Sequence, residues 1–195
     1  MRWFFVLKHG KGEDKVNILA IAGEINGERV VKVTEEVAKL KEKGFPPVII
    51  WISSGGGIVE AGFDLYDLLR LYPGKKTGIV WKYARSAASF VLQACDERFA
   101  TPHARIMIHH ISRRDLNLDT LRSGLRVKKI VKEMEILQSL MYQIYSRRTN
   151  RTIAQIRKEC TKEHDMFPEE ARAFGLIDGI WDKPLPFNDE NTKVT

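Results

Sequence analysis

The sequence predicts an α/β fold built on a parallel sheet, because short apolar runs repeatedly lead into helical patterns. Residues 48–52 form a short run rich in β-branched side chains, and apolar residues recur at helical spacing over 58–71. A strand at 78–81 precedes a helix over 87–95, and a strand at 16–21 precedes a helix over 28–43. Strands that alternate with helices in this way are typical of a parallel sheet covered by helices.

The remaining segments complete a single predicted domain over residues 1–195. We expect a further strand at 3–7, which forms a hairpin with the strand at 16–21 through the turn at 10–12 and packs onto the domain through its apolar side chains. Short strands are predicted at 98–100 and 104–109, and a turn and a last strand over 175–181. Helices are predicted at 119–147, at 153–159 and from residue 168. The long helix carries apolar residues three or four apart, so its stripe needs a packing partner. The tail over 182–195 is polar.

Composition excludes several classes of protein. The 195 residues are 44% apolar and 29% charged, which is typical of a globular domain. The net charge of +7 suggests a nucleic-acid partner. The basic residues are dispersed and lack interleaved aromatics, however, so we expect them to lie on helix faces exposed to solvent. Cys95 and Cys160 give neither a disulfide framework nor a metal spacing. We therefore expect a cytoplasmic protein without a metal or another cofactor, and no membrane span.

Two serines and three glycines follow the strand at 48–52 and are predicted to form a turn before the next helix. Glycine lets the backbone approach a ligand closely and leaves N–H groups exposed beside a helix N-terminus. The segment at 53–57 is therefore a candidate cradle for an anion or oxyanion. The alternative is a tight turn that only needs positive φ angles. The segment does not follow the glycine patterns of phosphate- or dinucleotide-binding loops.

A second strand-to-helix turn places Ser86 at or just before a helix N-terminus. Ser86 is either a helix cap or a nucleophile. A nucleophile needs a base, and His109 and His110 end an apolar strand, where alternation lets at most one of them face Ser86. Periodicity does not choose between the two histidines. The sequence pattern also does not identify the carboxylate that would orient the base. The candidates are Asp115, Asp119, Glu163 and Asp165.

Four segments, in order along the chain, resemble the proteolytic subunit of Clp protease, which is a cytoplasmic serine peptidase. They are the glycine segment at 54–62, the turn Ala84-Arg85-Ser86 with the apolar residues 90–92, the histidine strand at 98–109, and the segment from Asp165 to Asp178. The similarity runs from about residue 18 to residue 180. One departure is Arg85, which stands where the family has a small residue and puts a bulky cation beside Ser86.

The resemblance implies a complete catalytic site. It assigns Ser86 as the nucleophile, His109 as the base and Asp165 as the residue that orients the base. The backbone N–H groups of Gly57 and Ala87 would form the oxyanion hole. It also implies a ClpP/crotonase-type α/β fold of repeated ββα units, with a protruding handle helix at about 110–148. The implied assembly is a homo-oligomer of two stacked seven-membered rings around a chamber that takes unfolded polypeptides, with an AAA+ unfoldase as a possible partner.

Several other functions are compatible with parts of the sequence. The chain is alternatively a non-catalytic structural subunit in which Arg85 blocks Ser86, or a phage- or plasmid-type maturation protease that acts without an ATPase. Acyl-CoA chemistry on the same fold is disfavoured because it does not need the full set of Ser86, His109 and Asp165. Nucleic-acid binding is suggested by net charge alone.

Overall fold

A computed structural model describes residues 16–113 and 116–184. The predicted strand at 3–7, the turn at 10–12 and the tail beyond residue 184 lie outside the described residues. The strands are β1 (Asn17–Ile25), β2 (Val48–Gly57), β3 (Lys76–Arg85), β4 (Glu97–Ala100), β5 (Arg105–Met107) and β6 (Gly179–Ile180). The helices are α1 (Gly27–Glu42), α2 (Val59–Leu71), α3 (Ala87–Val91), α4 (Leu118–Arg122), α5 (Gly124–Thr149), α6 (Ile153–Cys160) and α7 (Pro168–Phe174), with a 3-10 turn at Leu92–Ala94.

The six strands form one sheet, in which all the paired strands run parallel. The order is β1-β2-β3-β4-β6, and β5 pairs with β3. Strand β3 pairs with two different strands along its length: residues 77–80 pair with β4, and residues 83–85 pair with β5. The predicted α/β class with a parallel sheet is confirmed. Since β5 pairs with the last residues of β3, the segments after these two strands emerge at the same edge of the sheet.

Strands β2 and β3 continue through the segments that were predicted to be turns. Strand β2 runs to Gly57, whose neighbour on β1 is Ile25, and β3 runs to Arg85. The predictions were wrong here because serine and glycine disfavour strands locally, whereas pairing with neighbouring strands overrides that preference. Register shifts between Ala22 and Glu24 and between Ile52 and Ser54 show where the pairing adjusts.

The long helix predicted at 119–147 is two helices, α4 and α5. Ser123 separates them, and its hydroxyl accepts a hydrogen bond of 3.4 Å from the Arg126 N–H at the start of α5. Serine competes for backbone N–H groups and glycine is a poor helix former, so Ser123 followed by Gly124 favours a break. The helix predicted at 87–95 ends in a 3-10 turn.

Helix α5 is packed on the domain at its C-terminal end and projects at its N-terminal end. Met141, Ile144 and Tyr145 are buried, whereas Leu125 is 84% exposed and Ile136 is 52% exposed. Several apolar side chains towards the N-terminal end of α5 are therefore uncovered in a single chain. Among the described residues, no helix is both long and apolar enough to cross a membrane.

Candidate active site

Ser86 lies between β3 and α3 in a backbone conformation that side chains rarely adopt. Its φ is 52° and its ψ is −126°, a combination that costs energy in any residue but glycine. The Ser86 N–H donates to the Met107 carbonyl at 3.0 Å, and the Ser86 carbonyl accepts from the Ser89 N–H at 3.0 Å. Among the described residues, the Ser86 hydroxyl caps no N–H of α3. The alternative in which Ser86 is a helix cap therefore does not explain the orientation of its hydroxyl.

The hydroxyl of Ser86 meets His109 instead. The His109 Nε2 atom lies 2.7 Å from the Ser86 Oγ atom, within hydrogen-bond distance. His109 follows β5 by two residues, and the pairing of β5 with β3 fixes both sides of this contact. His110 points elsewhere, since its Nδ1 atom lies 2.7 Å from the Tyr142 hydroxyl on α5. The structure thus brings one histidine of the pair to Ser86, although the predicted strand at 104–109 ends at Met107 and both histidines lie just beyond it.

Two of the candidate orienting carboxylates, Glu163 and Asp165, lie on the segment between α6 and α7. The Glu163 Oε1 atom lies 3.7 Å from the His109 Nδ1 atom, and the Glu163 side chain is 65% exposed. Asp165 accepts a hydrogen bond of 2.6 Å from the Arg85 Nε atom at Oδ1 and a second bond from Arg85 at Oδ2. These bonds raise the pKa of the Arg85 guanidinium. Asp119 is exposed in α4 and Asp115 lies outside the described residues.

The segment that carries Glu163 and Asp165 is anchored close to β5. Met166 forms an antiparallel bridge with Ile106 through backbone bonds of 2.8 and 3.0 Å. His164 lies between Glu159, at 3.4 Å from Nδ1, and Glu170, at 2.8 Å from Nε2. These contacts hold Asp165 near the end of β3, where Ser86 begins.

The glycine segment lies directly against the serine turn. A β-carbon at Gly56 would stand 2.6 Å from the Ser86 β-carbon and 3.0 Å from the Ala87 backbone nitrogen. A β-carbon at Gly57 would stand 2.1 Å from the Ile25 carbonyl oxygen. The φ angles of these glycines are 96° and 156°, which only glycine adopts without strain. The absence of a side chain at Gly56 therefore lets β2 pass directly beside the Ser86–Ala87 backbone, and the absence of one at Gly57 lets it approach Ile25.

A cleft of about 1020 Å³ contains these groups. The glycine segment lines one side, Ser86 and His109 line the floor, and Met134, Leu137 and Met141 of α5 contribute an apolar wall. Strand β2 thus contributes glycine backbone groups to the cleft, and α5 contributes apolar side chains. Ser89 is fully buried, and its hydroxyl bonds to the Ser86 carbonyl and to the Tyr145 hydroxyl at 2.6 Å each.

Sequence reasoning missed two participants in this site. The close approach of Gly56 was not foreseen, although a run of three glycines after a strand is the signal that one of them faces another backbone. The ion pair between Arg85 and Asp165 was also missed, because the two residues are 80 positions apart and neither belongs to a periodic pattern.

A strained serine at a strand-to-helix turn, with an imidazole in reach, is the arrangement of serine hydrolases on α/β sheets. The family model described as Clp protease matches residues 13–184. A Chlamydia pneumoniae protein named ATP-dependent Clp protease proteolytic subunit 1 is 35% identical over 156 residues, which cover 77% of this chain and 76% of the relative. The chain belongs to the Clp protease family and is a hydrolase of peptide bonds. The resemblance inferred from the four segments is confirmed.

Proposed function

We propose that this chain is a serine endopeptidase that cleaves unfolded polypeptides, with Ser86 as the nucleophile and His109 as the general base. The observation that carries the proposal is the distance of 2.7 Å between the Ser86 Oγ and His109 Nε2 atoms, inside a cleft lined by backbone groups. In the first step Nε2 takes the hydroxyl proton while Oγ attacks the peptide carbonyl carbon. The C–N bond then breaks, and His109 passes the proton to the leaving amine. Water hydrolyses the acyl-enzyme with the same base.

The negative oxygen of the intermediate needs hydrogen-bond donors next to Ser86. We assign the N–H groups of Gly57 and Ala87 to this role. The contact of Gly56 with the Ser86–Ala87 backbone supports the assignment, since Gly57 directly follows Gly56 in the chain and Ala87 directly follows Ser86. Preorganised donors of this kind are worth about 10²–10³ in rate each. The third catalytic side chain is assigned to Asp165, which orients the protonated Nδ1 of His109.

The assembly proposed for this chain is a homo-oligomer of stacked seven-membered rings that encloses the clefts in a chamber. The exposed apolar residues at the projecting end of α5 support an oligomer, because a patch of this kind is costly to leave in water. The Chlamydia relative is named ATP-dependent, and we propose the same dependence for folded substrates through an AAA+ unfoldase. Unfolded chains need no unfolding step, so the protein alone should cleave them.

Active-site labelling tests the chemistry without any partner protein. A fluorophosphonate phosphonylates a serine that a base has activated, so the wild type should be labelled at Ser86. Ser86→Ala should not be labelled, while Ser89→Ala should retain labelling because Ser89 is buried against Tyr145. Labelling that persists in Ser86→Ala and disappears in Ser89→Ala would move the nucleophile. A wild type that resists labelling would support the non-catalytic subunit instead.

Substrate assays test the dependence on an ATPase. Purified protein is incubated with unfolded casein and with a folded substrate, each with and without an unfoldase and ATP. We expect casein to be cleaved in all conditions and the folded substrate only with the complete system. Casein cleavage that requires the unfoldase would contradict independent action. Cleavage of the folded substrate by the protein alone would contradict the proposed dependence.

A further inference from the structure

Three side chains that are able to bind a metal ion lie together where α6 is connected to α7. Glu159 belongs to the last turn of α6, His164 lies on the connecting segment, and Glu170 belongs to the first turn of α7. One ligand atom from each residue lies within 4.8 Å of the other two. None of the three lines the cleft that contains Ser86, and the proposed mechanism uses none of them.

Glu159 is a buried carboxylate whose two oxygens differ in their surroundings. Its side chain is only 9% exposed. The Oε2 atom accepts a hydrogen bond of 2.7 Å from the Lys162 Nζ atom. The Oε1 atom is buried and has no hydrogen-bond partner among the described residues, although the His164 Nδ1 atom lies 3.4 Å from it. A buried carboxylate oxygen without a donor is costly, so a cation beside Oε1 would stabilise it.

His164 lies between two carboxylates, which a neutral imidazole does not satisfy at the same time. The Nε2 atom is 2.8 Å from Glu170 Oε1, and the Nδ1 atom faces Glu159 Oε1. A neutral ring carries a proton on one nitrogen only, so the lone pair of the other nitrogen faces a carboxylate oxygen. A second proton would make the cluster an ion pair. A metal ion would instead use that lone pair as a ligand.

The ligand set indicates which ion fits. Imidazole nitrogen together with carboxylate oxygen suits Zn²⁺, whereas Mg²⁺ prefers oxygen ligands and keeps several waters. Ligand atoms in a tetrahedral zinc site lie about 3.3 Å apart, because the bonds are about 2.0–2.2 Å long. The three atoms therefore need to approach only slightly. The side chains of His164 and Glu170 are 35% and 51% exposed, so they have room to move and water has access.

We propose that Glu159, His164 and Glu170 form a structural binding site for Zn²⁺, with water as the fourth ligand. The buried Glu159 is the fixed ligand, and the two more exposed residues close on the ion. A bound ion connects α6 to α7 across the segment that carries Asp165, and it holds this segment in place. The site does not depend on the chemistry proposed for Ser86.

Calorimetric titration of the full chain tests the site directly. The protein carries no affinity tag, is treated with a chelator and is then titrated with Zn²⁺, Mn²⁺ or Mg²⁺. We expect one Zn²⁺ per chain, weaker binding of Mn²⁺, and no binding of Mg²⁺ at the same concentration. Zn²⁺ in excess should also raise the midpoint of thermal unfolding, because an ion that binds the folded state stabilises it.

Variants of the ligands assign the bound ion to this site. Glu170→Gln keeps the size of an exposed side chain, so it should fold, and it should weaken Zn²⁺ binding at least about 100-fold. Loss of a residue that only supports a ligand already costs about 10–100-fold in affinity. His164→Ala and Glu159→Gln should have the same effect and should abolish the rise in the unfolding midpoint. If either of them does not fold without metal, Glu170→Gln decides the result.

Two other histidines provide the controls. His103 is exposed in the turn between β4 and β5, so His103→Ala tests for adventitious binding of Zn²⁺ to a surface imidazole. His109→Ala tests for binding in the cleft. Both variants should bind Zn²⁺ as tightly as the wild type does.

Three outcomes would overturn the zinc site. If the wild type binds no Zn²⁺ up to millimolar concentration, the cluster is an ion pair around a protonated His164. If Glu170→Gln and His164→Ala bind Zn²⁺ unchanged, or if His109→Ala or His103→Ala abolishes binding, the ion lies elsewhere. If Mg²⁺ binds as tightly as Zn²⁺, the site is one for hard cations. Labelling of Ser86 is a separate measurement, so each of these results leaves the proposed peptidase function intact.

Discussion

The α-carbon of Gly56 faces Ser86 so closely that a β-carbon at Gly56 would lie 2.6 Å from the Ser86 β-carbon and 2.8 Å from the Arg85 carbonyl oxygen. These neighbours are backbone and β-carbon atoms, which cannot rotate away. The glycine therefore determines how near β2 passes to the serine turn, and the width of the proposed oxyanion hole depends on that distance.

We predict that Gly56→Ala lowers the labelling rate at least about 10²-fold, since the displaced backbone no longer presents a donor at the right distance. The φ of 96° and the overlap should also lower the free energy of unfolding by about 1–3 kcal/mol. Gly55→Ala is the control, because among the described residues nothing lies within 4 Å of a β-carbon built there. Labelling kinetics and chemical denaturation measure both effects. Equal behaviour of the two variants would contradict the close-approach argument.

We predict that His109→Ala and His110→Ala differ strongly. Loss of the base should reduce the cleavage rate by at least about 10³-fold, because base and nucleophile act as a unit. His110→Ala should leave most activity and cost about 1 kcal/mol of stability through the lost bond to Tyr142. Peptide cleavage and denaturant unfolding check the pair of variants. If His110→Ala is the inactive one, the assignment is off by one residue.

The two cysteines should resist thiol reagents in the folded protein. Cys95 and Cys160 are unpaired and buried, and burial raises the pKa of each thiol to about 12. The reactive thiolate is therefore scarce near pH 8, and a disulfide-exchange reagent should titrate two thiols only after unfolding. In the unfolded state a cysteine ionises above its usual pKa of about 8.5, whereas in the folded state the buried thiols stay protonated up to a pKa of about 12. The free energy of unfolding should therefore fall as the pH rises from about 9 towards 12. Rapid reaction of the folded protein would contradict this.

We predict that Leu125→Glu reduces the size of the oligomer. Leu125 is 84% exposed at the projecting end of α5, so a charge there is harmless in a lone chain but costly within an apolar interface. Leu71→Glu is the control, since Leu71 is 83% exposed at the end of α2 and receives the same substitution. Sedimentation velocity of the wild type should show a large oligomer and that of Leu125→Glu smaller species. A wild type that remains monomeric at micromolar concentration would rule out this role for α5.

The sequence predicts the sheet and the placement of Ser86 near a strand-end histidine for a physical reason. Apolar runs mark buried parallel strands, and the loops at the carboxyl ends of such strands gather at one edge of the sheet. The extension of β2 to Gly57 was not predictable from local preference, because serine and glycine disfavour strands and the segment is kept extended by pairing with β1 and with Ala84 of β3.

The choice between His109 and His110 needed more than the sequence pattern. Alternation of side chains along a strand predicts that at most one of the two histidines faces Ser86, but it does not indicate which one. The contact of His110 with Tyr142 depends on how α5 lies against the sheet, which the local sequence does not determine. The ion pair of Arg85 with Asp165 was beyond local reasoning for a similar reason. It depends on the path of the chain between α6 and α7, which the bridge of Met166 to Ile106 fixes.

The division of β3 between two partner strands has a consequence for how the chain acquires activity. Ser86 and His109 meet only after residues 83–85 have paired with residues 105–107, and the glycine segment joins them only after β2 has paired with β1. Parallel pairings need crossover connections and close long loops, so they are late and slow events in folding. A partly folded chain therefore has the serine and the histidine but does not bring them together. If the two residues act as proposed, we expect such a chain not to cleave its unfolded sister chains before it has folded.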